Sequence, residues 1–415
     1  MKKLCLLSNK ITKSIIPIFL FHIISCSSID GEVSELVSSM TLEEKIGQMT
    51  QVDYRYLADK SDIKKYFLGS ILSGGGSTPP TNQPSSWVDL YNGFQKEALK
   101  TRLKIPLIYG IDAVHGHNNV LGATMFPHNI GLGCMNDKTL VQDIAAATAE
   151  EVKATGLDWT FAPCVAVAQD ERWGRTYESY SEDSDIVTEL GVASTIGFQG
   201  KTLNKNSVLA CAKHFVGYGA AQAGRDYHTV NMGDNELRNV YMPPFKAAID
   251  SGVETFMTAF NELNGVPATA NQYIFKDILR DEWGFNGFVV TDYTAINELV
   301  NHGYAENEKH AAELAINSGI DMDMMSGAYR RFLKELIIEG KVDETLINEE
   351  EMTRSIEMRD YFVINPFDVK FDYNKYFTKG KKYKFKEYSS NSQKLLNINQ
   401  TIKLLRTIDL ENNTE

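Results

Sequence analysis

The sequence predicts an α/β protein built on a (β/α)8 TIM-type barrel with an irregular C-terminal tail, and three observations carry that prediction. From residue 30 to about 365, short apolar runs alternate with longer amphipathic stretches, as parallel strands and their crossover helices do. About eight such units can be counted, over somewhat more chain than the roughly 250 residues of an ordinary barrel. Several of the apolar runs close on a polar side chain, and in a barrel the C-terminal ends of the strands form the active face.

In chain order the strand candidates are IGQMTQVD from Ile46, GSILSGG from Gly69, PLIYGIDAV from Pro106, DWTFAPCVAV from Asp158, VLACAKHF from Val208, TFMTAFNEL from Thr255, GFVVTDY from Gly287 and GIDMDMM from Gly319. Between them lie helix candidates that stop on glycine, the residue best able to adopt the left-handed conformation of a helix end. TLVQDIAAATAEEVKATG ends at Gly156 and NELRNVYMPPFKAAIDSG at Gly252.

The chain has 415 residues, 43% of them hydrophobic and 23% charged, enough for a large single core or two ordinary domains. A formal net charge of −12 argues against a nucleic-acid partner, because phosphate binding needs a clustered basic surface. Residues 1–26 put lysines ahead of a short apolar run, Ile15 to Ile24, too short to span a bilayer comfortably. They are expected to be an export signal. The run closes on Ile23-Ile24-Ser25-Cys26, which resembles the lipobox of bacterial lipoproteins, so a periplasmic or outer-membrane lipoprotein anchored by a lipid on Cys26 is expected, a plain signal peptide being the alternative. Cys134, Cys164 and Cys211 show no paired spacing and are read as core thiols. The barrel is expected over residues 30–365, and 366–415 as a basic tail or the stub of a missing second domain.

The polar strand ends suggest chemistry. Asp112 follows the third strand with His115 and His117 just beyond, Lys213-His214 ends the fifth, Asn261-Glu262 the sixth and Asp292 the seventh, while Asp321 and Asp323 lie on the eighth. Cleaving a glycosidic bond needs two carboxyl groups, one as nucleophile and one as acid, because the sugar carbon becomes cationic as the leaving oxygen takes a proton. Asp292 is a candidate nucleophile, with capping of the following helix TAINELVNHG as the plain alternative. Asp112 can accept hydrogen bonds from adjacent hydroxyls, or cap a loop, and Lys213 with His214 can grip hydroxyls or an anionic group. The stretch ERWGRTYESYSED brings Arg172, Arg175, Glu178, Glu182 and Asp183, part of it as a structural ion-pair network. A rival reading takes His115-Gly116-His117 with Lys213, His214 and Asp292 as the ligand set of a metal-dependent amidohydrolase, although such enzymes place the H-x-H after their first strand.

Read together, IPLIYGIDAVHGHNNVLGATMFPHNIGLG, FAPCVAVAQDERWGRTYESYSED, AKHFVGYGAAQAGRDYHT, TFMTAFNELNGVPATAN and ILRDEWGFNGFVVTDYTAINELVNHG resemble glycoside hydrolase family 3 in its β-glucosidase branch, over roughly residues 35 to 340. The resemblance implies a barrel and a retaining hydrolase of terminal β-D-glucosyl residues, taking a β-glucoside or oligosaccharide and no cofactor. Asp292 matches the family's nucleophile, and Asp112, Arg175, Lys213 and His214 match positions that hydrogen-bond the sugar hydroxyls. His115 and His117 then belong to the HGHNN motif, and no metal is implied.

Two departures follow from the same resemblance. Tyr293 stands where tryptophan is more usual, which bears on contact with the leaving group. The family's β-glucosidases also carry a second, α/β-sandwich domain that supplies the acid/base glutamate, and about 50 residues after the barrel are fewer than a domain requires. Three expectations remain: a truncated or split gene whose acid is lost or supplied by a separate chain; a local acid, with Asp226 and His228 in Asp226-Tyr227-His228 echoing the Asp-His dyad of the family's single-domain β-N-acetylhexosaminidases; or a sugar-binding lipoprotein without turnover.

Overall fold

The computed structural model describes residues 28–204 and 207–347, and the expectations about residues 1–26, Cys26 and 366–415 lie outside them. Short strands, each followed by helix or loop, set the architecture: β1 (Thr50–Asp53), β2 (Ser70–Ser73), β3 (Ile108–Ile111), β4 (Trp159–Thr160), β5 (Cys211–Phe215), β6 (Thr255–Thr258), the hairpin β7 (Glu262–Leu263) and β8 (Val266–Pro267), β9 (Phe288–Val290) and β10 (Asp323–Met324). Five of them pair in the order β10-β1-β2-β3-β4 and three in the order β5-β6-β9. All these pairings are parallel, with Ile71 opposite Tyr109 and Phe256 opposite Val289 marking the register.

Hydrogen bonds outside the named strands join the two sheets into a ring. Thr160 N donates to Leu209 O at 2.9 Å and Cys211 N to Ala162 O at 2.8 Å, joining β4 to β5. On the far side Thr291 N donates to Met322 O at 2.9 Å, joining β9 to β10. The expected barrel is therefore closed, and the β7–β8 hairpin is an insertion at the active face.

Two apolar layers hold it. Inside the barrel Trp159 meets Phe161 and Phe288 edge-on at 4.9 and 5.1 Å between ring centres, and its Nε1 donates to Thr255 Oγ1 at 2.9 Å. Gly110 on β3 leaves room for this layer, since a Cβ there would stand 2.4 Å from Phe161. Outside, Ile71, Ile111, Phe256 and Val289 are fully buried against the helical ring.

Several local expectations need correction. Ile46–Gln48 belong to the helix Leu42–Gln48, because Thr41 and Glu44 form a reciprocal capping box that starts a helix there, and the strand begins only at Thr50. The helix expected over NELRNVYMPPFKAAIDSG is broken into Asp234–Glu236, a π-helical turn Leu237–Tyr241 and Pro243–Asp250, since the prolines cannot donate to the preceding turn. Cys164 and Cys211 are buried, but Cys134 is exposed, lying on the outer side of the short helix Asn129–Met135, whose Asn129, Leu132 and Gly133 face inward.

Candidate active site

Asp292 sits at the C-terminal end of β9, where the barrel leaves its backbone free of strand pairing. Its N–H donates to Thr258 Oγ1 at 3.1 Å, and its Oδ1 accepts from the Tyr293 N–H at 2.7 Å. Oδ2 is buried with no hydrogen-bond partner among the described residues. It lies 3.5 Å from His214 Nε2 and 4.0 Å from Arg175 Nη1. The helix Ala295–Asn301 takes no side-chain cap, so the capping alternative does not describe this carboxylate.

Burial pushes the Asp292 carboxyl up to about 6, against the pull of the Arg175 and Lys213 charges. Burial, with those same two cations beside it, pushes His214 well down, so the imidazole is neutral at pH 7. Arg175 Nη2 lies 2.8 Å from His214 Nε2, and a guanidinium can only donate. His214 Nε2 is therefore an acceptor, its proton sits on Nδ1, and Nδ1 faces Cys164 Sγ at 3.9 Å. With Nε2 bare, Asp292 Oδ2 receives no proton from the ring, and its electrons stay available for attack on carbon.

The surrounding ions are locked in pairs. Arg175 donates twice to Glu178, at 2.6 and 2.9 Å, and its guanidinium lies over the Tyr218 ring. Partial burial raises the Glu178 carboxyl, but the Arg175 guanidinium outweighs it and holds the group below the usual range. Lys213 Nζ donates to Asp112 Oδ1 at 3.0 Å; burial opposes the lysine's charge, but the Asp112 and Glu178 carboxylates outweigh it and keep it protonated. Asp112 keeps 32% of its side chain exposed while Lys213 keeps 4%, so the carboxylate is the member of the pair that a ligand reaches.

The fold thus brings Asp112, Arg175, Lys213, His214 and Asp292 together from strand ends and loops far apart in the chain. Tyr293 stands beside them half-buried, its N–H on Asp292 Oδ1. The other two candidates are not joined. Asp226 Oδ1 accepts from Trp173 Nε1 at 2.9 Å, whereas His228 Nδ1 is buried without a hydrogen-bond partner among the described residues. In the ERWGRTYESYSED stretch, Arg172 pairs with Asp170 at the surface and Asp183 caps the helix Ser184–Gln199, which are structural tasks. Asp323 caps the turn into the helix Ala328–Ile338, and Asp321 accepts from Arg280 and the Val289 N–H.

The two histidines of the H-x-H diverge. His117 is fully buried with Nε2 on Thr155 Oγ1 at 2.8 Å, while His115 Nδ1 meets the Phe126 carbonyl and its ring lies tilted against that of His128, 4.0 Å between centres. Gly116 between them has φ +94°, which only glycine takes easily, and the two rings leave it toward different partners. Among the described residues no group of three or more His, Cys, Asp or Glu side chains converges as a metal shell.

The family model for the glycosyl hydrolase family 3 N-terminal domain matches residues 41–357. The chain belongs to glycoside hydrolase family 3. A family 3 relative, the periplasmic β-glucosidase of Salmonella typhimurium, is 36% identical over 336 residues, covering 81% of this chain and 42% of the relative. Among solved structures, an exo-1,3/1,4-β-glucanase from a Pseudoalteromonas species superposes with a TM-score of 0.77 at 33% identity, covering 85% of this chain and 45% of that one. A mutant β-glucosidase from Listeria innocua in complex with laminaribiose superposes at 0.75 with 34% identity, covering 85% and 49%. The chain therefore spans less than half the length of these family 3 proteins.

Sequence reasoning passed over Thr258 and Tyr218 and took Cys164 only for a core thiol, yet all three shape the candidate site from behind. Each is an ordinary residue of an apolar run, and only closure of the barrel turns it toward Asp292, Arg175 or His214.

Proposed function

We propose that this barrel is the glycone-binding and nucleophilic part of a retaining β-glucosidase, acting on terminal non-reducing β-D-glucosyl residues. The observation that carries the reading is Asp292 Oδ2: buried, free of hydrogen bonds among the described residues, and flanked by an arginine and a neutral histidine. Attack by this oxygen on the anomeric carbon forms a glycosyl ester on Asp292 as the leaving oxygen departs, and water then opens the ester with net retention. Asp112, the accessible member of its pair, holds sugar hydroxyls directly, with bonds that tighten as the ring flattens, and Lys213, Arg175 and His214 form the polar wall behind it.

The leaving oxygen needs a proton unless it is already a good leaving group. Asp112 and Glu178 are committed to Lys213 and Arg175, and a carboxylate held in an ion pair is a poor acid. A group from a second domain or a separate chain suits the role better, and His228 is a second candidate because its Nδ1 has no partner among the described residues. Export of the protein agrees with the basic, short apolar leader and with a relative named as periplasmic, and a lipid on Cys26 rests on the lipobox-like Ile23-Ile24-Ser25-Cys26 alone.

The test is the intact mass after incubation with dinitrophenyl 2-deoxy-2-fluoro-β-glucoside, whose leaving group needs no acid. One fluoroglucosyl adduct on the peptide carrying Asp292 is expected. Folded protein that stays unlabelled would remove the glycosidase reading for this chain by itself and leave a sugar-binding protein or a barrel that needs a partner chain.

A further inference from the structure

Behind the rim of the site lies a polar cluster that the mechanism above leaves unused. His302 follows the helix Ala295–Asn301, which starts just after Asp292, and both of its ring nitrogens face oxygens that only accept. Nε2 is 3.0 Å from the Phe260 carbonyl and Nδ1 is 3.1 Å from Glu262 Oε1. His302 thus bridges the Phe260 carbonyl and the Glu262 carboxyl group, and the contact with Glu262 joins side chains that keep only 13% and 20% of their exposure.

Glu262 reaches a third element. Its Oε2 accepts from Thr229 Oγ1 at 2.9 Å, and its carbonyl accepts from the Val230 N–H at 2.8 Å. One residue on β7 so ties the helix behind the nucleophile to the loop that follows β5. That loop displays Tyr227 at φ +63°, a conformation that a bulky residue keeps only where its surroundings enforce it. The Tyr227 ring stacks on Phe260 with 4.2 Å between centres and 24° between planes, yet 40% of the residue is exposed. Phe260 is thus both the platform under Tyr227 and the carbonyl that His302 grips. Burial first, and then the Asp292 carboxylate, push the Tyr227 phenol up to about 12.

We propose that Tyr227 is a wall of the space occupied by the departing group, and that the Glu262–His302 pair is the positioning device that holds it there through Phe260 and Thr229. The sugar side of the site is occupied by Asp112, Lys213, Arg175 and His214, whereas Tyr227 rests on Phe260, just past the C-terminal end of β6, and stays partly exposed. Such a ring suits an aryl group or the apolar side of a second sugar ring. The inference rests on the glycosidase reading, so its test reads binding without turnover.

Phenyl and methyl 1-thio-β-D-glucosides, whose sulfur linkage resists cleavage, are titrated calorimetrically into the wild type, Tyr227→Ala and Glu262→Ala. The wild type is expected to prefer the phenyl compound, and that preference to fall about 5- to 10-fold in both variants. His302→Ala, titrated in the same way, should show the same fall, because it removes the other half of the pair. An unchanged preference in Tyr227→Ala overturns the wall. A preference lost in Tyr227→Ala but kept in folded Glu262→Ala overturns the positioning role; should Glu262→Ala fail to fold, a preference kept in folded His302→Ala overturns it instead. Wild type that binds neither thioglucoside overturns the glycosidase reading and this inference with it.

Discussion

Asp292 carries a conflict between stability and chemistry that one substitution exposes. Its carboxyl is raised from 3.8 to about 6, because burial penalises the charge more than Arg175 and Lys213 relieve it. Below the ordinary carboxylate range both folded and unfolded chains hold the proton, and the shift has no effect on stability. Through the window up to about 6 the folded chain binds the proton more tightly, and above it the fold bears the buried charge. Asp292→Asn is therefore expected to raise stability at pH 7 by up to about 3 kcal/mol in urea unfolding, and to lose that advantage near pH 4. The same variant should form no fluoroglucosyl adduct. In the wild type, adduct formation should fall about tenfold per pH unit below about 6, because only the ionised oxygen attacks. A labelling rate flat down to pH 4 would mean that the reacting group is not this buried carboxyl.

At the scale of elements, the loop after β3 shows why a motif that reads as chemistry can be architecture. Gly116 turns the chain at φ +94°, and a Cβ there would stand 2.0 Å from the Thr124 carbonyl oxygen. The turn sends His117 into the helical layer and brings the Phe126 N–H to the His115 carbonyl at 2.9 Å, which closes the loop that follows Asp112. Gly116→Ala is expected to cost about 3 kcal/mol or more, since the added atom meets backbone and cannot be relieved by a rotamer change. Thermal unfolding reads this directly, and a melting temperature within a degree of wild type would contradict the turn as described. A metal role for the H-x-H would instead predict loss on chelation, with the fold unchanged.

At the scale of the whole molecule, the barrel gathers cations around one buried carboxylate and ties the other nearby acids into pairs. That distribution predicts a strong dependence on the leaving group. Dinitrophenyl β-glucoside should be turned over by this chain at least about 10²-fold faster, relative to cellobiose, than by a two-domain family member, because general acid assistance is typically worth about 10²- to 10⁴-fold and an activated aryloxide does not need it. Equal ratios in the two proteins would show that an effective acid acts on this barrel.

The sequence by itself determined the layer plan and most of the site. Apolar runs of strand length ending in Asp112, Lys213-His214 and Asp292 read as parallel strands with polar ends, and the glycine stops at Gly156 and Gly252 have the positive φ of helix ends. It also marked Arg175 and Glu178, since a short polar stretch so dense in ions must pair within itself. Tertiary structure alone decided the rest. Whether His115 and His117 converge, whether Asp226 meets His228 or Trp173, and which oxygen of Asp292 is left bare all depend on side chains from strands far apart in the chain. So does the Glu262–His302 pair, whose members are 40 residues apart. Local patterning specifies which face of an element is apolar, but the protonation and partners of a polar group follow from burial and from what barrel closure places opposite it.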